Sequence, residues 1–303
     1  MKPKTWRCLA AVVLSAFAIL LLGCSREEIP AGKRETRTTI LEPQSPGTLV
    51  YSGNSVSLDA SNTAEGYLML QYSGNAEKAK VQIKIPEGTV YTYNLRKGEN
   101  ETLPLTGGSG LYQIDVLENA YENLYATVFS RQLSVEISDE FRPFLYLNQY
   151  VWYTKESRVI DLGESLSEKS QGDLDYVQRV YRYVIRNISY DRELAETVKS
   201  GYLPQVDMTL ESKKGICFDY ASLMAALLRS QGVPTKLVIG YSGQQYHAWI
   251  SVYLKETGWV DKVIYFDGSS WSLMDPTLAA NNVSSEVKKY VGDGENYLAK
   301  YQS

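Results

Sequence analysis

The sequence predicts an α+β chain in two parts, an all-β half followed by a half that mixes helices and strands. Three observations carry this. Short runs of period two fill residues 48–138, an amphipathic helical pattern covers residues 173–188, and a turn, a helix and two apolar strands follow one another between Lys214 and Tyr253. The chain is long enough for two cores of ordinary size, at about 100–200 residues each.

The N-terminus comes first. Lys2, Lys4 and Arg7 precede an apolar run over residues 8–22, which ends in Leu21-Leu22-Gly23-Cys24 and the polar Ser25-Arg26-Glu27-Glu28. At about fifteen residues the run is short for a bilayer span, which needs roughly twenty. A basic start, an apolar middle and a small residue before a cysteine make a secretion signal, and these residues resemble the bacterial lipobox. The expectation is a signal peptide over residues 1–23, lipidation at Cys24, and a mature chain held outside the cytoplasm on a bacterial membrane. Residues 24–47, polar and charged with Pro30, Pro43 and Pro46, read as a tether.

In the β-rich half, Tyr67-Leu68-Met69-Leu70-Gln71-Tyr72, Lys80-Val81-Gln82-Ile83-Lys84-Ile85 and Thr89-Val90-Tyr91-Thr92-Tyr93 alternate faces as half-buried strands do. Turn chemistry separates them at Ser73-Gly74-Asn75, Pro86-Glu87-Gly88, Lys97-Gly98-Glu99-Asn100 and Gly107-Gly108-Ser109-Gly110. With further strands over residues 111–117 and 124–137, about seven are expected, a number that suits an immunoglobulin-like β-sandwich. No catalytic constellation lies within it.

The second half is read as one domain over residues 144–303. Its clearest helix places Leu174, Val177, Val180, Tyr181, Val184 and Ile188 on one face, and a polar loop is expected from there to about Ser212. Next comes Lys214-Gly215-Ile216-Cys217-Phe218-Asp219-Tyr220-Ala221, which opens a helix that stops near Gly232. Cys217 therefore falls in a first helical turn, where unpaired N–H groups and the helix dipole favour a thiolate. A buried cysteine is ordinarily structural. This one differs because Cys8 leaves with the signal and Cys24 is used by the lipid, so Cys217 has no disulfide partner in an oxidising compartment.

His247 is the single histidine of the chain and opens the second of two apolar strands. If those strands pack on the Cys217 helix, the imidazole reaches the thiol as a general base. A carboxylate that fixes the imidazole tautomer is then needed. Asp275 ends the apolar strand Trp271-Ser272-Leu273-Met274, while Asp261 and Asp267 are competing candidates set among turn residues.

The order Gly-x-Cys-x-x-Tyr-Ala, His-Ala-Trp and Trp-x-Leu-x-Asp-Pro-Thr resembles the transglutaminase-like superfamily, with Asn187-Ile188-Ser189-Tyr190-Asp191 similar to that family's helix-ending motif. The resemblance implies a papain-like core with Cys217 as nucleophile, His247 as base and Asp275 as orienter. Tyr190 and Gln205 are candidates for a second oxyanion donor beside the Cys217 amide, and Trp249 for a shield over the histidine.

Composition narrows the partners. Removal of residues 1–23 leaves 28 basic against 35 acidic residues, a formal balance of −7, which argues against a nucleic-acid surface. One histidine and one usable cysteine are too few for the usual zinc sites, and no phosphate loop or calcium loop is visible, so no cofactor is expected. The expected substrate is a peptide or protein of the cell envelope or surface. Wall-directed cysteine peptidases with an Asp-Cys-Ser-Gly motif fit poorly, because the cysteine here stands in Gly-Ile-Cys-Phe-Asp. The remaining alternative is a non-catalytic binding or scaffold lipoprotein of the same family.

Overall fold

The computed structural model describes residues 33–242, 245–260, 264–266, 271–273 and 297–303. Residues 33–303 form one compact unit. Its β-rich half has eight strands: β1 (Val50–Gly53), β2 (Val56–Asp59), β3 (Tyr67–Tyr72), β4 (Ala79–Lys84), β5 (Val90–Leu95), β6 (Asn100–Pro104), β7 (Gly110–Tyr121) and β8 (Leu124–Val135). They make two four-stranded sheets, ordered β1-β2-β3-β6 and β5-β4-β7-β8, antiparallel throughout. Alternation works as the sequence leads one to expect. Leu68, Leu70 and Tyr72 of one sheet and Val81, Ile83, Tyr112, Ile114 and Val116 of the other are buried in a common apolar cluster. The Tyr72 hydroxyl donates to a Glu118 carboxylate oxygen at 2.7 Å, tying β3 to β7.

The second half follows with α1 (Arg158–Glu168), α2 (Asp173–Asn187), β9 (Ser189–Tyr190), α3 (Arg192–Thr197), α4 (Val206–Ser212), β10 (Lys214–Gly215), α5 (Cys217–Arg229), β11 (Thr235–Ser242), β12 (Gln245–Leu254), β13 (Gly258–Val260), β14 (Ile264–Phe266), β15 (Trp271–Leu273) and β16 (Tyr297–Gln302). A second antiparallel sheet system runs β13-β12-β11-β16, while β9 and β10 form a short parallel pair. Helix α5 is the centre of this half. Every residue from Asp219 to Arg229 is buried, against α1, α2 and α4 on one side and β11 and β12 on the other.

Several details depart from the sequence reading. On α2, Leu174 is 41% exposed in the first turn, and Tyr176 is buried instead, its hydroxyl donating to the Leu227 carbonyl of α5 at 2.6 Å. The polar stretch after Asp191 holds α3 and α4; Asp191 caps α3 by accepting from the Leu194 amide at 2.9 Å. The last part of the expected tether is docked. Arg34 donates to Asp173 at 2.7 Å, to the Ser167 hydroxyl at 2.5 Å and to the Gln231 carbonyl at 2.6 Å, and its guanidinium lies over the Tyr176 ring. Such a cation is well placed past the C-terminal end of α5. The two halves also share their core. The Tyr93 ring of β5 stacks on Tyr150 at 5.7 Å, and its hydroxyl donates to the Gln302 carbonyl of β16 at 3.4 Å.

Arg229, the last residue of α5, ties the helix to the segments around its C-terminal end. Fully buried, it donates to the Thr235 backbone oxygen from Nε at 3.0 Å and from Nη2 at 2.7 Å, to the Tyr146 carbonyl at 2.8 Å and to the Ser303 oxygen at 2.7 Å. Burial lowers its pKa to about 10, so it stays charged at neutral pH. Removing the guanidinium strands several buried acceptors, each at a cost of about 1–3 kcal/mol. Arg229→Met is therefore expected to lower stability by at least about 3 kcal/mol, or roughly 6 °C in melting temperature. Thermal unfolding followed by circular dichroism checks this; an unchanged midpoint would contradict the role given to Arg229.

Candidate active site

Cys217 begins α5 because the preceding residues force the turn. The Asp219 carboxylate reaches back to accept from the Ile216 amide at 2.8 Å, which closes the helix N-terminus. The same carboxylate accepts from the Tyr202 hydroxyl at 2.7 Å. Gly215 must be small, since a Cβ there would lie 2.6 Å from Asp219 Cβ. Further along the helix, Tyr220 donates to the Ile188 carbonyl at 2.6 Å and Ser222 to the Tyr150 carbonyl at 2.6 Å. The cysteine is thus held by contacts on three sides of its own turn.

His247 lies on β12, directly opposite Gly240 of β11, which offers no side chain to crowd it. Its ring is nearly parallel to that of Trp249, two residues on, with centroids 6.4 Å apart. Trp249 is itself buried. Cys217 and His247 line one cavity of about 470 Å3, together with Ala248, the residue after the histidine. The structure therefore brings together the only free cysteine among the described residues and the only histidine of the sequence.

Tyr190 joins them, because the pairing of β9 with β10 sets it opposite Gly215, and it lines the same cavity. Burial raises its phenol pKa, and the nearby Cys217 adds to that shift. Gln205 does not join them. It takes the N-cap position of α4 and lines the adjoining cavity with Arg96, Glu101 and Trp152, so the structure does not set it beside Cys217 as an oxyanion donor. Asp275, like Asp261 and Asp267, and the lipidation candidate Cys24 lie outside the described residues.

The site also uses residues that the sequence reading passed over. Lys80, Thr92 and Asn94 of the β-rich half form part of the cavity wall, opposite the segment that contains Lys199 and Tyr202. Only Tyr202 carried a usable signal, since an aspartate in the first turn of a buried helix needs a donor. Nothing local to β4 or β5 marks their residues as cavity wall.

Burial governs the electrostatics. The helix terminus leads one to expect a lowered thiol pKa, yet burial pushes the Cys217 thiol up, opposed by the amides of Ala248, Phe218 and Cys217 itself. The desolvation of an anion outweighs the dipole here. Burial also lowers His247 to about 4. At neutral pH the resting pair is a thiol beside a neutral imidazole.

Residues 160–262, which run from α1 to the end of β13 and hold Cys217 and His247, match the family model of the transglutaminase-like superfamily. Among curated relatives it is 29% identical to the protein YebA of Bacillus subtilis (strain 168) over 40% of this chain and 21% of that one. It is 26% identical to a protein-glutamine gamma-glutamyltransferase of Pseudomonas aeruginosa over 31% of this chain and 14% of that one. The chain thus spans only a minor part of the length of these relatives. Among solved structures, a protein of Cytophaga hutchinsonii proposed to be a cysteine protease aligns with a TM-score of 0.37 at 16% identity, covering 78% of this chain and 83% of that one.

The histidine makes stability depend on pH. Its folded value of about 4 lies below the 6.5 of an exposed imidazole. Between these values the unfolded chain binds a proton that the folded chain does not, so the contribution is whole above about pH 6.5 and is lost as pH falls towards 4. Denaturant unfolding of wild type and His247→Gln is expected to show a steeper loss for wild type between pH 6.5 and 4.5. Parallel curves would contradict the burial of a neutral imidazole.

Proposed function

We propose that this protein is a cysteine acyl-transfer enzyme of the transglutaminase-like kind, acting on peptide amides through a thioester at Cys217. The observation that carries the proposal is the shared cavity of Cys217 and His247. A neutral imidazole is the form that accepts a proton, and a thiol must lose one to attack.

In the proposed reaction, His247 takes the Cys217 proton as sulfur bonds to the amide carbonyl carbon. The Cys217 amide, and Tyr190 as a second donor, stabilise the oxyanion. The carbon–nitrogen bond then breaks, and the imidazolium gives its proton to the leaving amine or ammonia. Water attacks the thioester, imidazole accepts a proton from it, and the carbon–sulfur bond breaks to restore the thiol. Asp275 is proposed to orient the imidazole. An amine in place of water would give a cross-link from the same thioester.

Hydrolysis is preferred, giving a protease or deamidase, because water is always abundant and a cross-linking site must exclude it. Lipidation at Cys24 is proposed to hold the enzyme to the outside of a bacterial membrane, so that its substrates are peptide segments of envelope or surface proteins. One observation favours the non-catalytic binding reading: the burial that raises the thiol pKa also reduces the thiolate available at rest.

A mixed peptide library incubated with the protein, with and without a primary amine, separates these outcomes by mass. New N-termini or a one-dalton gain on glutamine are expected, absent with Cys217→Ala and reduced about 10²–10⁴-fold with His247→Ala. A dominant amine adduct would overturn the preference for hydrolysis. A library left unchanged would favour the binding reading.

A further inference from the structure

The cavity that holds Cys217 continues beyond it. A second cavity of about 460 Å3 lies alongside, and Leu203 lines both. Three stretches of chain serve the pair. The strand β5 gives Thr92 and Asn94 to the first cavity, and Arg96 just past its end faces the second. Residues 149–152 give Tyr150 to the first, and Gln149 and Trp152 to the second. The stretch between α3 and α4 closes the first and continues past Leu203 into the second. Two cavities with three walls in common make one groove.

The groove has the length of a short peptide. Thr92, Asn94 and Arg96 alternate along extended chain and so share a face. At about 3.3 Å per residue, Arg96 stands about 13 Å from Thr92. A substrate lying extended in the groove has the same rise, so with its reacting carbonyl at Cys217 it presents a side chain about four residues away to the second cavity.

The apolar lining of that cavity is Leu203 and Trp152, of which Trp152 is the exposed one. Arg96 is already engaged, by Glu101 at 2.7 Å and Glu99 at 2.8 Å, so it is taken up within the wall and does not offer a cation to a substrate carboxylate. Trp152 remains 51% exposed there. An exposed indole in a concave site is a strong anchor for an apolar partner, since it loses little side-chain freedom on binding and buries a large surface.

We propose that the second cavity is a substrate subsite, in which Trp152 packs on an apolar or aromatic side chain about four residues from the one that reacts at Cys217. The assignment rests on the acyl-transfer reading for the position of the reacting residue. It makes the substrate an extended polypeptide of at least five residues and makes the β-rich half a wall of the binding groove.

The test uses equilibrium binding to the Cys217→Ala protein, with no chemistry involved. Three nonapeptides carry glutamine at the centre: one with phenylalanine at the first position, one with phenylalanine at the last, and one with serine at both. One phenylalanine peptide is expected to bind at least ten-fold more tightly than the serine peptide. Trp152→Ala should erase that advantage and Trp152→Phe should keep it. Equal affinities, no binding by any peptide, or an advantage that survives Trp152→Ala would overturn the subsite. Trp152-dependent binding of peptides that the wild type never turns over would sink the catalytic reading and leave the subsite standing. Turnover indifferent to Trp152 would do the reverse.

Discussion

A helix buried along nearly its whole length must have both ends closed from within the protein, and α5, buried from Asp219 to Arg229, is such a helix. Water cannot satisfy its terminal N–H and C=O groups, so side chains and neighbouring segments must. Asp219 does this at the start, and at the end the Tyr176 and Ser230 hydroxyls donate to the Leu227 carbonyl while the Gln231 and Val233 amides donate to that of Leu228. The two ends fix everything around them. Asp219 requires Gly215 to be bare and draws Tyr202 in from the α3–α4 stretch, which becomes a wall of the cavity. Arg229 gathers the Tyr146 carbonyl, the start of β11 and the oxygen of Ser303, which holds β16 beside β11 and sets the sheet that carries His247. Cys217 and His247 reach one cavity because the same helix is anchored at both ends.

The consequences for chemistry follow from that burial. A thiol at an exposed helix terminus would ionise readily, whereas this one sits where an anion is poorly solvated. Amides from Ala248 and Phe218 offset part of the penalty. At neutral pH the proton therefore stays on sulfur, and the histidine that lines the same cavity is neutral. A thiol that keeps its proton is also less open to oxidation than a thiolate.

Much of this was legible in the sequence. Period-two runs with turn residues between them located β3, β4 and β5, and the spacing of Val177, Val180, Val184 and Ile188 located α2, because a single buried face dictates each pattern. Cys217 and His247 stood out by scarcity and by position. Gln205 misled because a residue near in sequence to the cysteine helix faces another cavity once α4 forms. Arg34 was read as part of a polar tether, since nothing in a charged segment reveals that its partner is Asp173, 139 residues away. The contribution of Lys80, Thr92 and Asn94 was invisible for the same reason: they alternate as solvent-facing strand residues do, and only the packing of the two halves turns that face into a cavity wall.

The central claim is that a covalent bond forms between substrate and Cys217 sulfur, with His247 moving the proton. Acid quenching during turnover of a glutamine peptide, followed by intact-mass analysis and peptide mapping, measures that bond directly. The expected result is a thioester adduct whose mass equals the peptide less ammonia, mapped to Cys217 and formed far more slowly with His247→Ala. Turnover with no adduct on Cys217, or an adduct whose rate of formation is indifferent to His247, would contradict it.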